Sequence, residues 1–499
     1  SLMNESVVIV GAGITGLCTG LALAKNGHPV TLVERDAPPP AGDVDEAFFQ
    51  WNRRGAAQFR HPHAFLAAMS NLLENSFPDL IEEFWHAGAR KITFKDMLPP
   101  ELESAYVAEP GDEKLWLLMC RRATMETVFR RYAERSNLTI LSDTQVTGTL
   151  IEKADDMIDV KGIKVRNRDG KDTEIHADIV IDAGGRNSKF KEWLADEGAK
   201  FSSEDDDAEI VYYTRHYKLL DGVEEPERRS DMPSAGDLGY LKFGVFPGEG
   251  GHFAVIICLP NHEHELREAI KDGETFDQIC QGIPGLARWI GPEKCTSTTS
   301  SFGFGDIHAI WHHSVHDQKP AALNFFSVGD AAVRTNPLYG RGCSTGVIHA
   351  HVLADLIQEE KDPLRRALSF ATKTEEELRP IFTASLNEDR RGIKRAKSIL
   401  EGEELDKTRG FKQWFGAAFG DAIGRASREK IHVLRGAMRS FNLMEKPGDF
   451  LKDWPTRLTI LRYMIKGRKH NAAIRLQRGP KRQEMLEILR AEHKTVNTA

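Results

Sequence analysis

The sequence predicts an α/β protein: a Rossmann-like nucleotide-binding domain, an antiparallel-sheet domain inserted into it, and a helical C-terminal region. Three observations carry this. Residues 5–34 read strand, glycine turn, helix, strand. The same buried-strand signature returns downstream at Asp178–Asp182 and Leu323–Asp330. Between residues 205 and 300 shorter strand-like runs replace it, and beyond residue 365 the periodicity is almost wholly helical.

In chain order, Glu5–Val10 is a short β-branched run that stops at Gly11, as a buried parallel strand should. Gly16–Asn26 is rich in small and apolar residues and reads as a helix that Gly27 ends. Val30–Val33 is the next strand, closed by Glu34, and Ala37–Ala41 is a rigid turn. From Pro62 through Leu80 and Phe84 the pattern is helical. Arg121–Arg135 is a further helix with Met125, Val128, Phe129 and Tyr132 on one face. Leu138–Leu141 is a short strand, and residues 145–181 read as three strands with a turn at Asn167–Gly170. Glu209–Leu219, Tyr240–Phe246 and Phe253–Leu259 are strand-like, the last two joined by a hairpin loop at Gly248–Gly251. A long helix follows from Gly346 to Gln358, and Pro447 and Pro455 break the helical region after it. These readings divide the chain into a nucleotide-binding domain at 1–204 and 306–365, a substrate domain at 205–305, and a basic helical region at 366–499.

At 499 residues the chain is too long for one simple core. Its 40% hydrophobic and 28% charged composition is that of a soluble globular protein. There is no apolar run of about 18 residues to span a membrane, and the early strand leaves no room for a signal peptide. The six cysteines are scattered without a Cys-x-x-Cys pair. That argues against a disulfide framework or a metal centre and makes a reducing cytoplasm the expected compartment. Net charge is −7, yet residues 431–499 hold 15 Lys or Arg against 6 Asp or Glu. This basic segment reads as solvated helix faces or as a peripheral contact with a membrane surface or acidic partner; nucleic acid is not expected.

The chemistry sits in two glycine motifs. In the first, Gly11 permits a tight turn, Gly13 lets the backbone approach a pyrophosphate at the Ile14-Thr15 helix start, and Gly16 lets helix and strand pack closely. Glu34, with Arg35 beside it, is placed to accept from ribose hydroxyls, and its charge disfavours a 2′-phosphate. The second motif is Phe326-Ser327-Val328-Gly329-Asp330-Ala331-Ala332, followed by Pro337, Gly340, Arg341 and Gly342. A strand that ends in Gly-Asp before a glycine-rich helix start can set a carboxylate on a ribityl hydroxyl. It can also aim N–H groups at a phosphate or a flavin ring. Together the motifs predict bound FAD.

With this context the sequence resembles the FAD-dependent monooxygenase superfamily of the para-hydroxybenzoate hydroxylase fold, which includes aromatic hydroxylases, epoxidases and geranylgeranyl reductases. The resemblance implies that Asp330 holds the ribityl chain and that Pro337, Gly340 and Gly342 lie beside the isoalloxazine. Residues 177–188 look like the superfamily's middle motif, usually Asp-Gly-x-x-Ser. Here Gly184 stands where the Asp is expected, while Gly185 and Ser188 remain. That departure counts against tight use of NAD(P)H. Further strings narrow the likeness to a subgroup of bacterial hydroxylase-like proteins similar to the polyether epoxidases. They are Gln58–His63, Phe77-Pro78 with Ala87–Ala89, Arg122–Glu126, Trp193-Leu194, Tyr213–Arg215 and Phe441–Leu443.

The implied activity is a monooxygenase that hydroxylates or epoxidises an apolar organic substrate through a flavin C4a-hydroperoxide. Electrons would come from NAD(P)H as a transient donor or from a separate reductase. No side chain need act as nucleophile in such chemistry. Arg60 and Arg122 are the cationic candidates for the pyrophosphate or reduced flavin, or else ion-pair arginines. His61 and His63 are proton-donor candidates or loop caps. Tyr213 and Arg215 are pocket candidates that alternation puts on one strand face, with Tyr212 on the other. Cys343 is a packing residue or a flavin neighbour. A reductase of a prenyl-like double bond and a non-catalytic flavin-binding sensor or scaffold are the alternatives. A flavin halogenase is disfavoured, because Leu115–Leu118 lacks the Trp-x-Trp-x-Ile-Pro string those enzymes share.

Overall fold

Five apolar runs form one parallel sheet in the computed structural model: Val7–Val10 (β1), Val30–Val33 (β2), Thr139–Leu141 (β3), Ile179–Asp182 (β4) and Phe325–Ser327 (β5). Their order is β5-β4-β1-β2-β3, and every neighbouring pair is parallel. Ile9, Leu32 and Ile179–Ile181 are completely buried, which is why these runs are continuously apolar rather than alternating. The structure describes residues 4–42, 65–337, 340–403, 407–474 and 478–498.

Each face of the sheet has its own cover. On one, Gly20 of the helix Ile14–Lys25 (α1) lies against Ile9, Val30 and Leu32. On the other, Val8, Val33 and Val180 share a core with Ile158, Val160, Ile163 and Val165. The latter residues belong to an antiparallel meander of strands 145–154, 157–166 and 172–176. Its second turn falls at the expected place, with Gly170 N–H bonded to Asn167 O at 3.0 Å. The helix Gly342–Glu359 (α3, after Arg122–Glu134 as α2) packs on α1 at a small-residue contact. A Cβ on Gly346 would stand 2.2 Å from Thr15 Oγ1, so only glycine lets the two helices approach this closely. Strand order reverses between β1 and β4. A crevice opens at such a switch point, at the carboxyl ends of the strands.

The chain divides into two compact units. The first comprises 1–88, 122–207 and 308–386; the second comprises 89–121, 208–307 and 387–499. The second unit is built on an antiparallel sheet ordered 235–237, 242–247, 252–260, 210–219, 295–297, with 302–304 also paired to 210–219. The expected hairpin closes with Gly248 N–H on His252 O at 2.7 Å. Helices His264–Ile270 and Gly273–Gln281 bury Leu266, Ile270, Phe276 and Ile279 against Val211, Tyr213 and Tyr217 of that sheet.

Two boundaries differ from the sequence expectation. Residues 89–121, which carry the hairpin of 90–93 and 116–119, group with the inserted sheet. The C-terminal division falls after residue 386, inside the uninterrupted helix Pro363–Leu400 (α4), rather than at 365. That helix runs through Pro380, so no break in the local pattern marks the boundary. Pro455 marks the expected break by opening a helix. It sits in the first turn of Trp454–Lys466, where its missing N–H has no intrahelical role. All six cysteines are free and buried. Among the described residues no helix is long and apolar enough to cross a membrane, and no cluster of metal-ligating side chains occurs.

Candidate functional site

A cavity of about 480 Å³ opens at the switch point of the parallel sheet, within the first unit. That is a size typical of small-molecule and cofactor sites, about 300–1,000 Å³. The Gly11–Gly16 turn forms one wall. Gly11 has φ +106°, and a Cβ there would meet Ala183 O at 2.3 Å; a Cβ on Gly16 would meet Gly11 O at 1.9 Å. The turn is therefore closed on itself by backbone contacts that tolerate no side chain. Gly13 caps α1 without any side-chain hydrogen bond, so the first-turn N–H groups and the positive end of the helix dipole face the cavity.

Glu34 closes β2 and is buried. Its Oε2 accepts from Ala12 N–H at 2.7 Å and its Oε1 from Asp36 N–H at 3.3 Å. These bonds fix the carboxylate against the glycine turn, on the wall of the cavity. Arg35 lies beside it on the cavity wall.

The middle motif holds a residue that the sequence reading passed over. Asp182, the last residue of β4, is completely buried. It accepts from Ser188 Oγ at 2.5 Å and from Gly184 N–H at 3.0 Å. Burial raises its carboxyl above the usual range, against the pull of Lys191, Ser188 and Gly184. The loop's carboxylate thus stands two positions ahead of Gly184 and is turned into its own loop. A Cβ at 184 would lie only 3.2 Å from Asp182 Oδ1, so the two positions are coupled. A charged residue closing an all-apolar buried strand, with Ser six residues on, was the signal available in the sequence.

At the other end of the cavity, Asp330 sits with Arg122, Glu126 and Cys343. Burial raises the Asp330 carboxyl, opposed by Arg334, Arg122 and Arg186. Arg122, from the start of α2, donates to Cys343 Sγ at 2.5 Å and to Glu126 Oε1 at 3.4 Å. Its Nε is buried without a partner among the described residues. Burial works against the guanidinium charge, but the Glu126 and Asp330 carboxyl groups around it hold the charged form in place. Burial also pushes the Cys343 thiol up to about 11, so it stays protonated at neutral pH.

The Gly329-Asp330 turn is fixed from behind by His349 of α3. Gly329 N–H donates to His349 Nδ1 at 3.1 Å, which places the ring proton on Nε2, 2.9 Å from Thr374 Oγ1. Burial keeps this ring neutral, its pKa pushed down to about 3 from 6.5. The unfolded chain takes up a proton at this ring as pH falls below its ordinary value, and the folded chain does not. His349 therefore lowers stability as pH drops from about 6.5 toward about 3, by at most about 1.4 kcal/mol per pH unit. In His349→Gln that decline should be shallower, read as the shift in urea midpoint between about pH 7 and about pH 5. An unchanged pH dependence would contradict the buried neutral ring.

The cavity brings together Gly11, Gly13, Ile14, Thr15, Gly16, Glu34, Arg35, Arg122, Gly184, Asp330 and Gly342 of the residues singled out from sequence. Gly329 lies directly behind Asp330. Pro337, Gly340 and Arg341 do not line it. The Arg341 side chain is buried and donates instead to Ser385 Oγ of α4 at 2.7 Å, a partner far away in sequence. Tyr213 and Arg215 lie in the second unit, on one face of their strand as alternation requires. There Tyr213 is buried in the core, and Arg215 bonds Gly273 O at 2.6 Å and Asp277 Oδ2 at 2.8 Å, tying the sheet to its helices. Arg60, His61 and His63 lie outside the described residues.

Residues 6–95 match the family of FAD-dependent oxidoreductases. Protein Rv3254 of Mycobacterium tuberculosis is 26% identical over 390 residues, 73% of this chain and 76% of that protein. An Aspergillus terreus protein named FAD-dependent monooxygenase is 23% identical over 372 residues, 70% of this chain and 77% of its own length. Among solved structures, P. aeruginosa PqsL in complex with 2-aminobenzoylacetate aligns with a TM-score of 0.53 at 16% identity, over 80% of this chain and all of that one. This last likeness is one of fold.

Proposed function

We propose, from the premise that this chain is an FAD-dependent oxidoreductase on a fold shared with FAD-dependent monooxygenases, that it hydroxylates or epoxidises an apolar organic substrate. The observation that carries the reading is the switch-point cavity with a carboxylate fixed at each end, Glu34 and Asp330. The residues present fit FAD: the backbone cradle at Gly11 and Gly16 excludes side chains, and Arg122 offers a buried cation with an unpartnered Nε. Glu34 would hold the adenosine ribose, the α1 start the pyrophosphate, Asp330 the ribityl chain, and Arg122 negative charge on the phosphate or reduced ring. When bound, FAD supplies the electron transfer and oxygen activation, and one oxygen atom leaves as water. The chain's own groups bind, orient and exclude water. The apolar character of the substrate rests on the resemblance to epoxidases.

The middle motif supports a reading of the electron donor. With Gly184 in place of a carboxylate, and Asp182 occupied by Ser188 and Gly184, this loop offers an incoming nicotinamide no free acidic side chain. We expect slow reduction by NADPH alone and faster reduction through a separate reductase. Stopped-flow bleaching of the flavin reads the first point, and rapid bleaching by NADPH without substrate would overturn it. Oxygen uptake coupled to product formation tests the reaction class. Substrate turnover under strict anaerobiosis would instead make the chain a reductase of a carbon–carbon double bond.

A further inference from the structure

The large apolar side chains exposed among the described residues are not scattered. Seven of ten lie on two helices of the second unit, Gly410–Glu429 (α5) and Trp454–Lys466 (α6). α6 carries two apolar faces. Thr456, Thr459, Ile460 and Tyr463 are buried, the last two in a core with Ala422 and Ala426 of α5. Trp454, Leu458, Leu461 and Ile465, spaced four, three and four residues apart, form a second stripe on the opposite side at 3.6 residues per turn. They are 68%, 48%, 51% and 85% exposed. At the start of α5, the Phe411 ring lies 6.1 Å from those of both Trp414 and Phe415, and all three are exposed. Arg468, just past α6, donates to Thr408, just before α5, and pairs with Asp421 of α5, so the Ile465 end of α6 is tied to α5.

The charges within α6 have one sign, the acidic Asp453 standing just before its first residue. α6 contains no Asp or Glu; Arg457 flanks the stripe on one side, and Arg462 and Lys466 on the other. A packing helix needs only one apolar face, and a second one in water calls for an apolar medium. A second copy of the chain would set these cations against the same cations. An anionic bilayer would take the aliphatic stripe and indole rings at the acyl boundary and pair the cations with its phosphates.

We propose that α6 and the start of α5 form a peripheral docking face for an anionic lipid bilayer, with α6 lying in the plane of the interface. This surface is independent of the flavin reading. Its net charge supports the orientation, because residues 431–499 carry a surplus of nine positive charges in a chain whose total is −7.

The test is cosedimentation of the full-length flavoprotein with phosphatidylcholine vesicles that contain or lack phosphatidylglycerol, at low and high salt. Binding to the anionic vesicles alone, released by salt, is expected. Leu458→Glu with Ile465→Glu, and separately Arg462→Glu with Lys466→Glu, should each lower the bound fraction at least about tenfold with an unchanged melting temperature. No binding by the parent protein, or parent-like binding by the apolar double variant, overturns the proposal. So does lipid-free, concentration-dependent dimerisation that Leu458→Glu with Ile465→Glu abolishes, which would assign the face to a second copy.

Discussion

Gly16→Ala is expected to yield a chain that purifies without FAD. The new methyl group would stand 1.9 Å from the backbone oxygen of Gly11. The Gly11 peptide is held in place by its own N–H, which donates to Val33 O at 2.8 Å. A clash with backbone is relieved by moving the start of α1, at a cost of about 3 kcal/mol. The N–H groups of the first helical turn would then no longer converge on one point. The readout is flavin absorbance per chain after purification, together with a thermal melt. Stoichiometric FAD with parent-like stability would contradict the role given to the turn.

Asp330→Ala should have the second largest effect, and by a different physical route. Its carboxylate lines the cavity beside Arg122, as the proposed acceptor for the ribityl chain. Hydrogen bonds to a charged group contribute about 1.5–3 kcal/mol each. Losing one lowers FAD affinity roughly 10- to 100-fold, since about 1.4 kcal/mol corresponds to a factor of ten. Arg122 would also be left with Cys343 and Glu126 as its remaining neighbours. Asp330→Asn keeps an acceptor and should lose less. Equal affinity in the alanine variant and the parent would remove Asp330 from the site.

Legibility in the sequence followed the range of the interactions. The βαβ opening, Glu34 and the Gly-Asp turn are local patterns, each set by residues within a few positions. The structure places Gly11, Gly16, Glu34 and Asp330 around one cavity, as those patterns require. His349 and Arg341 depend on partners brought by folding, Gly329 and Thr374 for the one and Ser385 for the other, and nothing in the local sequence announces either. Tyr213 and Arg215 show an intermediate case. Alternation put them on a common face, but that face is covered by helices at 264–281, which a strand's own sequence cannot reveal. Asp182 was legible but overshadowed. Its carboxylate, two positions before Gly184, holds Gly184 and Ser188, and only the fold shows that it turns into its own loop. The division of the chain at residue 386 had no local mark, since α4 runs straight through it.

In the proposed function one cavity holds FAD from both ends, by Glu34 and by Asp330. Titration of the FAD-free protein with FAD, followed by quenching of flavin fluorescence, tests it most directly. The parent should bind one FAD per chain, Glu34→Gln and Asp330→Ala should each bind more weakly, and the double variant should show no saturable binding. Tight, stoichiometric binding by the double variant would contradict the account.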